Sequence, residues 1–206
     1  FRIVGKNSIH FNTDGSFTLP KFNKPLDIRF SRTFNRDKVS SVTVTKEPSG
    51  HYYISFLSQD NYQRCPSINN KLAFDSGIKT NLSVYDGTNH QGFNLPDLKS
   101  LFSKIKKAQK ALSRKVKGSN NRNKQRLKVN KWHKKITNCR IDFLQKLSNQ
   151  LICNYDIISM EDLASGNMMK NHKLAQAFSD VSLGTFYTML EYKANWNDKV
   201  IVKIDR

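Results

Sequence analysis

Apolar and polar positions change their period twice along this 206-residue chain. Up to about residue 60, short β-like runs alternate with turn chemistry: Ser16 to Leu19 ahead of Pro20, Leu26 to Phe30, Val39 to Val44, and Tyr52 to Leu57 after the turn Glu47-Pro48-Ser49-Gly50. This pattern predicts a small β-barrel or sheet over residues 1–65. Asn61 to Asn70 reads as a linker carrying Pro66 and several Asn. Lys71 to Asp75 then reads as a buried strand, and Leu82 to Tyr85 as a second strand turning at Asp86-Gly87, a strong hairpin signal. A second domain over residues 70–206 is therefore expected.

From Leu98 the period becomes helical, with Leu98, Leu101, Phe102, Ile105, Ala108 and Leu112 on one face. Gly118-Ser119 breaks that helix. A second follows, striped by Trp132, Ile136, Cys139, Phe143, Leu147 and Leu151, so a helical hairpin is predicted at about 96–154. Asp156 to Glu161 returns to strand, Phe186, Met189 and Leu190 mark a third helix, and Lys199 to Ile204 reads as the last strand. The predicted class is α+β, with strands, an inserted hairpin, a strand, a helix and a strand in that order.

Charge changes the meaning of that hairpin. Seventeen of the 35 Lys and Arg residues lie between Lys99 and Lys146 against the single acid Asp142, which places +16 of the formal +19 in this stretch. A short run of like charges is ordinarily a solvated face. This concentration on helices is instead the footprint of a polyphosphate partner, giving salt-dependent and sequence-tolerant affinity by displacing condensed counterions. The candidate phosphate-binding residues are Lys106, Lys107, Lys110, Arg114, Lys115, Lys117, Arg122, Lys124, Arg126, Lys128, Lys131, Lys134 and Lys135.

Other features narrow the chemistry. No apolar run approaches the roughly 20 residues that span a bilayer, so no membrane partner is expected. Cys65, Cys139 and Cys153 are odd in number and lack C-x-x-C spacing, which argues against a disulfide framework or a zinc site and favours a reducing compartment. His10, His51, His90, His133 and His172 share no ligand spacing. Trp132 and the alternating Tyr52, Tyr53 and Phe56 read as core sooner than as base-stacking residues. Asp75 and Glu161 differ from the rest, because each ends an apolar strand, where a carboxylate is costly unless it is paired or holds a cation. On adjacent strands they would offer Mg²⁺ the hard oxygen ligands it prefers.

Several segments resemble the TnpB (OrfB) family of transposon-encoded proteins, relatives of the nuclease half of type V CRISPR effectors. They are Phe74-Asp75-Ser76-Gly77-Ile78-Lys79, Leu112-Ser113-Arg114-Lys115 with Lys117 to Arg122, Ile158 to Leu163, Phe178-Ser179-Asp180, and Met189 to Ala194. The resemblance spans nearly the whole chain in the right order. It implies a β-barrel-like wedge segment followed by an incomplete RuvC-like, RNase-H-fold domain, and a metal-dependent endonuclease that uses a guide RNA to cut target DNA. Asp75 and Glu161 match two of the three catalytic carboxylates and would hold Mg²⁺. The third lies beyond a zinc ribbon, and neither matches anything in this chain; Asp205 corresponds to the strand before that ribbon and is given no catalytic role. A middle fragment is thus expected, inactive alone, in a cytoplasmic, nucleoid-associated prokaryotic protein. A guide-RNA-dependent DNA binder without cleavage and a basic RNA-binding protein are the competing readings.

Overall fold

Alternation of β-branched and small polar residues from Val39 onward builds an antiparallel sheet in the first of two compact units, Phe1–Tyr62. The computed structural model describes residues 1–4, 9–20, 22–59, 62–75, 82–161 and 183–204. The sheet order is β1 (Arg2–Val4), β2 (Val39–Lys46), β3 (Tyr52–Ser58). Gly50, at φ 85°, closes the β2–β3 turn by donating to Glu47 O at 2.9 Å. Two expected strands are corrected. Ser16 to Leu19 and Leu26 to Phe30 contribute only isolated bridges, Phe17 to Phe11 and to Leu26. Pro20 and Pro25 flank them and remove N–H groups that a ladder would need.

What those segments supply is core. Phe17 is fully buried with Val42, and Phe11, Phe34 and Phe56 pack around them. The Arg36 guanidinium lies over the Phe11 and Phe30 rings, 5.6 and 5.4 Å from their centroids. Gly15, at φ +81°, makes room for it, since a Cβ there would collide with that guanidinium.

The second unit, Gln63–Arg206, is built on a five-stranded sheet of order β6-β5-β4-β7-β8. Its strands are β4 (Lys71–Asp75), β5 (Leu82–Tyr85), β6 (His90–Phe93), β7 (Ile157–Glu161) and β8 (Val200–Ile204). β4, β5 and β6 form an antiparallel meander, whereas β4, β7 and β8 run parallel. The predicted turn holds: Asp86 accepts from Asn89 N at 2.7 Å and Thr88 N at 2.9 Å. Those bonds lower its pKa to about 2, with Asn89 the largest cause.

Parallel neighbours require a crossover, and that between β4 and β7 contains α1 (Lys99–Ser113) and α2 (Asn120–Asn154). Gly118, at φ 83°, ends the connection, and Ser119 caps α2 by accepting from Arg122 N at 3.2 Å. α3 (Leu183–Asn197) precedes β8. One face of the sheet, carrying Leu72, Phe74, Leu82, Val84, Ile158 and Met160, packs against Leu144, Leu151 and Ile152 of α2 and Phe186 and Leu190 of α3. Leu98, Leu101 and Ile105 meet Ile136 in a separate small core that joins the hairpin.

Residues 64–69 are no free linker. Asp156 accepts from Ser67 Oγ at 3.0 Å, from Ile68 N at 2.8 Å and from Asn69 N, and it pairs with the buried Lys199. Lys199 also donates to Pro66 O at 2.7 Å. The expectation that no cysteine is disulfide-bonded is likewise corrected: Cys65 and Cys153 are bonded, with Cα atoms 5.1 Å apart across 88 residues of sequence, leaving Cys139 as the free thiol. Sequence spacing could not show this, because the crossover itself returns the end of α2 to the start of the unit.

Candidate functional site

The parallel pairing of β4 and β7 sets Phe74 opposite Met160, so Asp75 and Glu161 follow one residue further along each strand. Strand alternation turns Phe74 and Met160 into the core and gives Asp75 and Glu161 a common opposite face. Asp75 is exposed and Glu161 half-buried. Both therefore end their strands at the carboxyl edge of the sheet, the edge at which open α/β sheets take ligands. The sequence expectation of adjacent strands agrees with this register. Among the described residues no group of three or more His, Cys, Asp and Glu could hold a metal ion, so the carboxylate pair stands without a third such ligand there.

The cationic hairpin is made by the same crossover. α1 and α2 turn their apolar stripes toward each other, and Lys106, Lys107, Lys110, Arg114, Lys115, Lys117, Lys124, Arg126, Lys128, Lys131 and Lys135 are exposed. Lys134 is half-buried. Arg122 has a structural use that its charge did not announce: its Nη1 donates to Leu112 O at 3.1 Å and Lys115 O at 3.0 Å, capping the end of α1. Trp132 packs on the small hairpin core with Lys104 and Lys135 over its ring, 5.2 and 5.9 Å from the centroid. Phe102, expected on the buried stripe, is instead 40% exposed beneath the guanidinium of Arg140.

Glu191 pairs with Lys203 at 2.7 Å. Lys193 is buried between α3 and α2, donating to Gln145 O and Ser148 Oγ at 2.8 Å each, and burial lowers its pKa. His10, His51, His90 and His133 are exposed, His90 stacking on Tyr85 at 4.5 Å. Tyr52 and Tyr53 are also exposed, whereas Phe56 packs inward. Ser76, Gly77, Ile78, Lys79, Asp162, Leu163, His172, Phe178, Ser179, Asp180 and Asp205 lie outside the described residues.

A mixed sheet ending in two neighbouring carboxylates, with a strongly cationic hairpin inserted between their strands, defines an α+β protein with its positive charge concentrated on one helical arm. This chain belongs to the OrfB_IS605 family, described as "Probable transposase", whose sequence profile matches residues 41–172, more than half of its length. It is 37% identical over 194 residues to a "Putative RNA-guided DNA endonuclease" of Streptomyces pristinaespiralis, covering 94% of this chain and 48% of that protein. To the "Putative RNA-guided DNA endonuclease InsQ" of Escherichia coli (strain K12) it is 33% identical over 135 residues, 65% of this chain and 33% of the other. The chain thus spans about half the length of the first of these relatives and a third of the second.

Among solved structures, the Cas12f1-sgRNA-target DNA complex matches 81% of this chain and 36% of that one, with a TM-score of 0.51 and 14% identity. That likeness is one of fold.

Proposed function

We propose that this chain forms part of a transposon-encoded RNA-guided DNA endonuclease, with guide RNA and target DNA as its partners. In this reading Phe1–Tyr62 belongs to a wedge-type β-barrel and Gln63–Arg206 to a RuvC-like nuclease domain. The observation that carries it is that Asp75 and Glu161 each stand one residue past the Phe74–Met160 pair, side by side at the carboxyl edge of parallel β4 and β7. Two carboxylates on one face fit Mg²⁺, which takes hard oxygen ligands and retains water, so Asp75 and Glu161 are the residues that would hold it. When bound in such a site, Mg²⁺ activates water and stabilises the leaving oxygen of a phosphodiester.

The chain's own contribution is positional. β4 and β7 fix the two acids, and the exposed cations of α1 and α2 hold a phosphate backbone. The arm is expected to give the 206-residue chain nucleic-acid affinity that does not depend on the two acids.

The test is a chimera in which this chain replaces its matched segment in the Streptomyces pristinaespiralis relative, supplied with that protein's guide RNA. Mg²⁺-dependent cutting of target DNA is expected, with Asp75→Ala and Glu161→Ala each abolishing cutting while leaving binding in place. Cutting that survives both replacements would remove the reading.

A further inference from the structure

The irregular segment between Pro25 and the short helix at Arg36–Lys38 carries chemistry that neither the motifs nor the strand-end acids account for. With residues of β3 it encloses a cavity of about 440 Å³ lined by Phe30, Phe34 and Phe56, with Arg29, Arg32 and Ser55 also on its wall. The Phe34 and Phe56 rings are stacked, with centroids 5.3 Å apart and an interplanar angle of 23°, and Phe30 is within 6.0 Å of both. Arg29 and Arg32 are exposed. No Asp or Glu is among the described residues that line the cavity.

Flat aromatic walls beside two guanidiniums select for a planar, π-faced group joined to an anion. We propose that this cavity holds one unpaired nucleotide of a single-stranded nucleic acid, its base against Phe30, Phe34 or Phe56 and its phosphate at Arg29 and Arg32. The volume lies in the range of small-ligand sites, enough for a base with its sugar. An acidic peptide would use the arginines and gain nothing from the aromatic wall. An apolar peptide would leave the guanidiniums unmatched. The inference rests on the proposed function only in taking nucleic acid as the partner, and it makes no use of Asp75 or Glu161.

The experiment measures binding of the full chain to fluorescent oligouridylate, oligodeoxythymidylate and a matching strand without bases, in salt high enough to screen the hairpin. Removing the bases should weaken binding to the wild type by about tenfold, the loss of one stacked base. Phe30→Leu, which keeps an apolar side chain, should erase most of that difference. Arg32→Ala, a change at the exposed rim, should weaken binding to strands with and without bases alike. Crosslinks from 4-thiouridine should map to the 28–34 segment or β3.

Equal binding of uridylate and deoxythymidylate supports a base-only site, and a preference for either identifies the strand it takes. If wild type and Phe30→Leu respond equally to base removal, or if all crosslinks fall between Lys99 and Lys146, the proposal is wrong. Should Phe30→Leu fail to fold by circular dichroism, Arg32→Ala and the crosslink map decide. This assay reads Phe1–Tyr62 without any cutting, and the chimera reads Asp75 and Glu161, so either idea can fail alone.

Discussion

Asp156 shows how much a single side chain can organise here. Its carboxylate gathers Lys199 from just before β8 and Ser67, Ile68 and Asn69 from the approach to β4. The hydrogen bond from Lys199 is the largest cause of a pKa lowered from 3.8 to about 2, with the backbone N–H groups of Ile68 and Asn69 adding to it. Because the folded pKa is depressed, this stabilisation is fully present above about 3.8 and disappears as the pH falls toward 2. Thermal unfolding followed by circular dichroism should show Asp156→Asn lowering the melting temperature at neutral pH and flattening the acid limb in that window. An unchanged acid limb would contradict the clamp.

At the other edge of the sheet, Mn²⁺ titrated against the chain and followed by paramagnetic resonance should bind weakly, and Asp75→Asn should remove that binding. The two acids were legible in the sequence because each closes an apolar run. Asp156 was not, since its partners come from a segment that reads as linker.

Among the elements, α1 and α2 were the most legible, because a stripe recurring every three or four residues persists across many turns and Gly118-Ser119 punctuates it. The first unit was the least legible. Its Phe-rich segments between prolines read as strands by composition, yet their apolar residues are used to fill a core without joining a ladder. Within the hairpin, Lys106 and Lys110, Lys124 and Lys128, and Lys131 and Lys135 stand one turn apart, so like charges repel along each helix.

Duplex binding should fall roughly 10³-fold or more between about 50 and 200 mM salt if six or more phosphates are engaged. Reversing Arg114, Lys115 and Lys117 should weaken binding to every sequence alike and reduce the salt slope. Arg122→Ala is a different experiment, since it removes two bonds to the end of α1 and should cost about 1 kcal/mol of stability. A salt-independent affinity measured by anisotropy would sink the assignment of the arm.

For the molecule as a whole, the Cys65–Cys153 bond closes a loop containing β4, β5, β6, α1 and most of α2. Thiol titration of the purified, air-exposed chain under denaturing conditions should count one reactive cysteine, Cys139, and three after reduction. Cys65→Ala should lower stability by roughly 2–4 kcal/mol, read from denaturant unfolding. Three thiols without reductant would refute the pairing. The order of strands and helices from β4 onward was readable from periodicity, but the closure of this loop was not, because it depends on two residues becoming neighbours only after the crossover is complete.

α2 has a further consequence of scale. It runs for 35 residues without Pro or Gly, its first half in the hairpin core and its last turns in the sheet core. At 1.5 Å per residue its axis is about 52 Å long, which matches about fifteen base pairs laid end to end. The helix is in effect a ruler fixed at the sheet, and if the arm takes duplex as proposed, its span would cap the straight stretch that this one element could shield from a footprinting reagent.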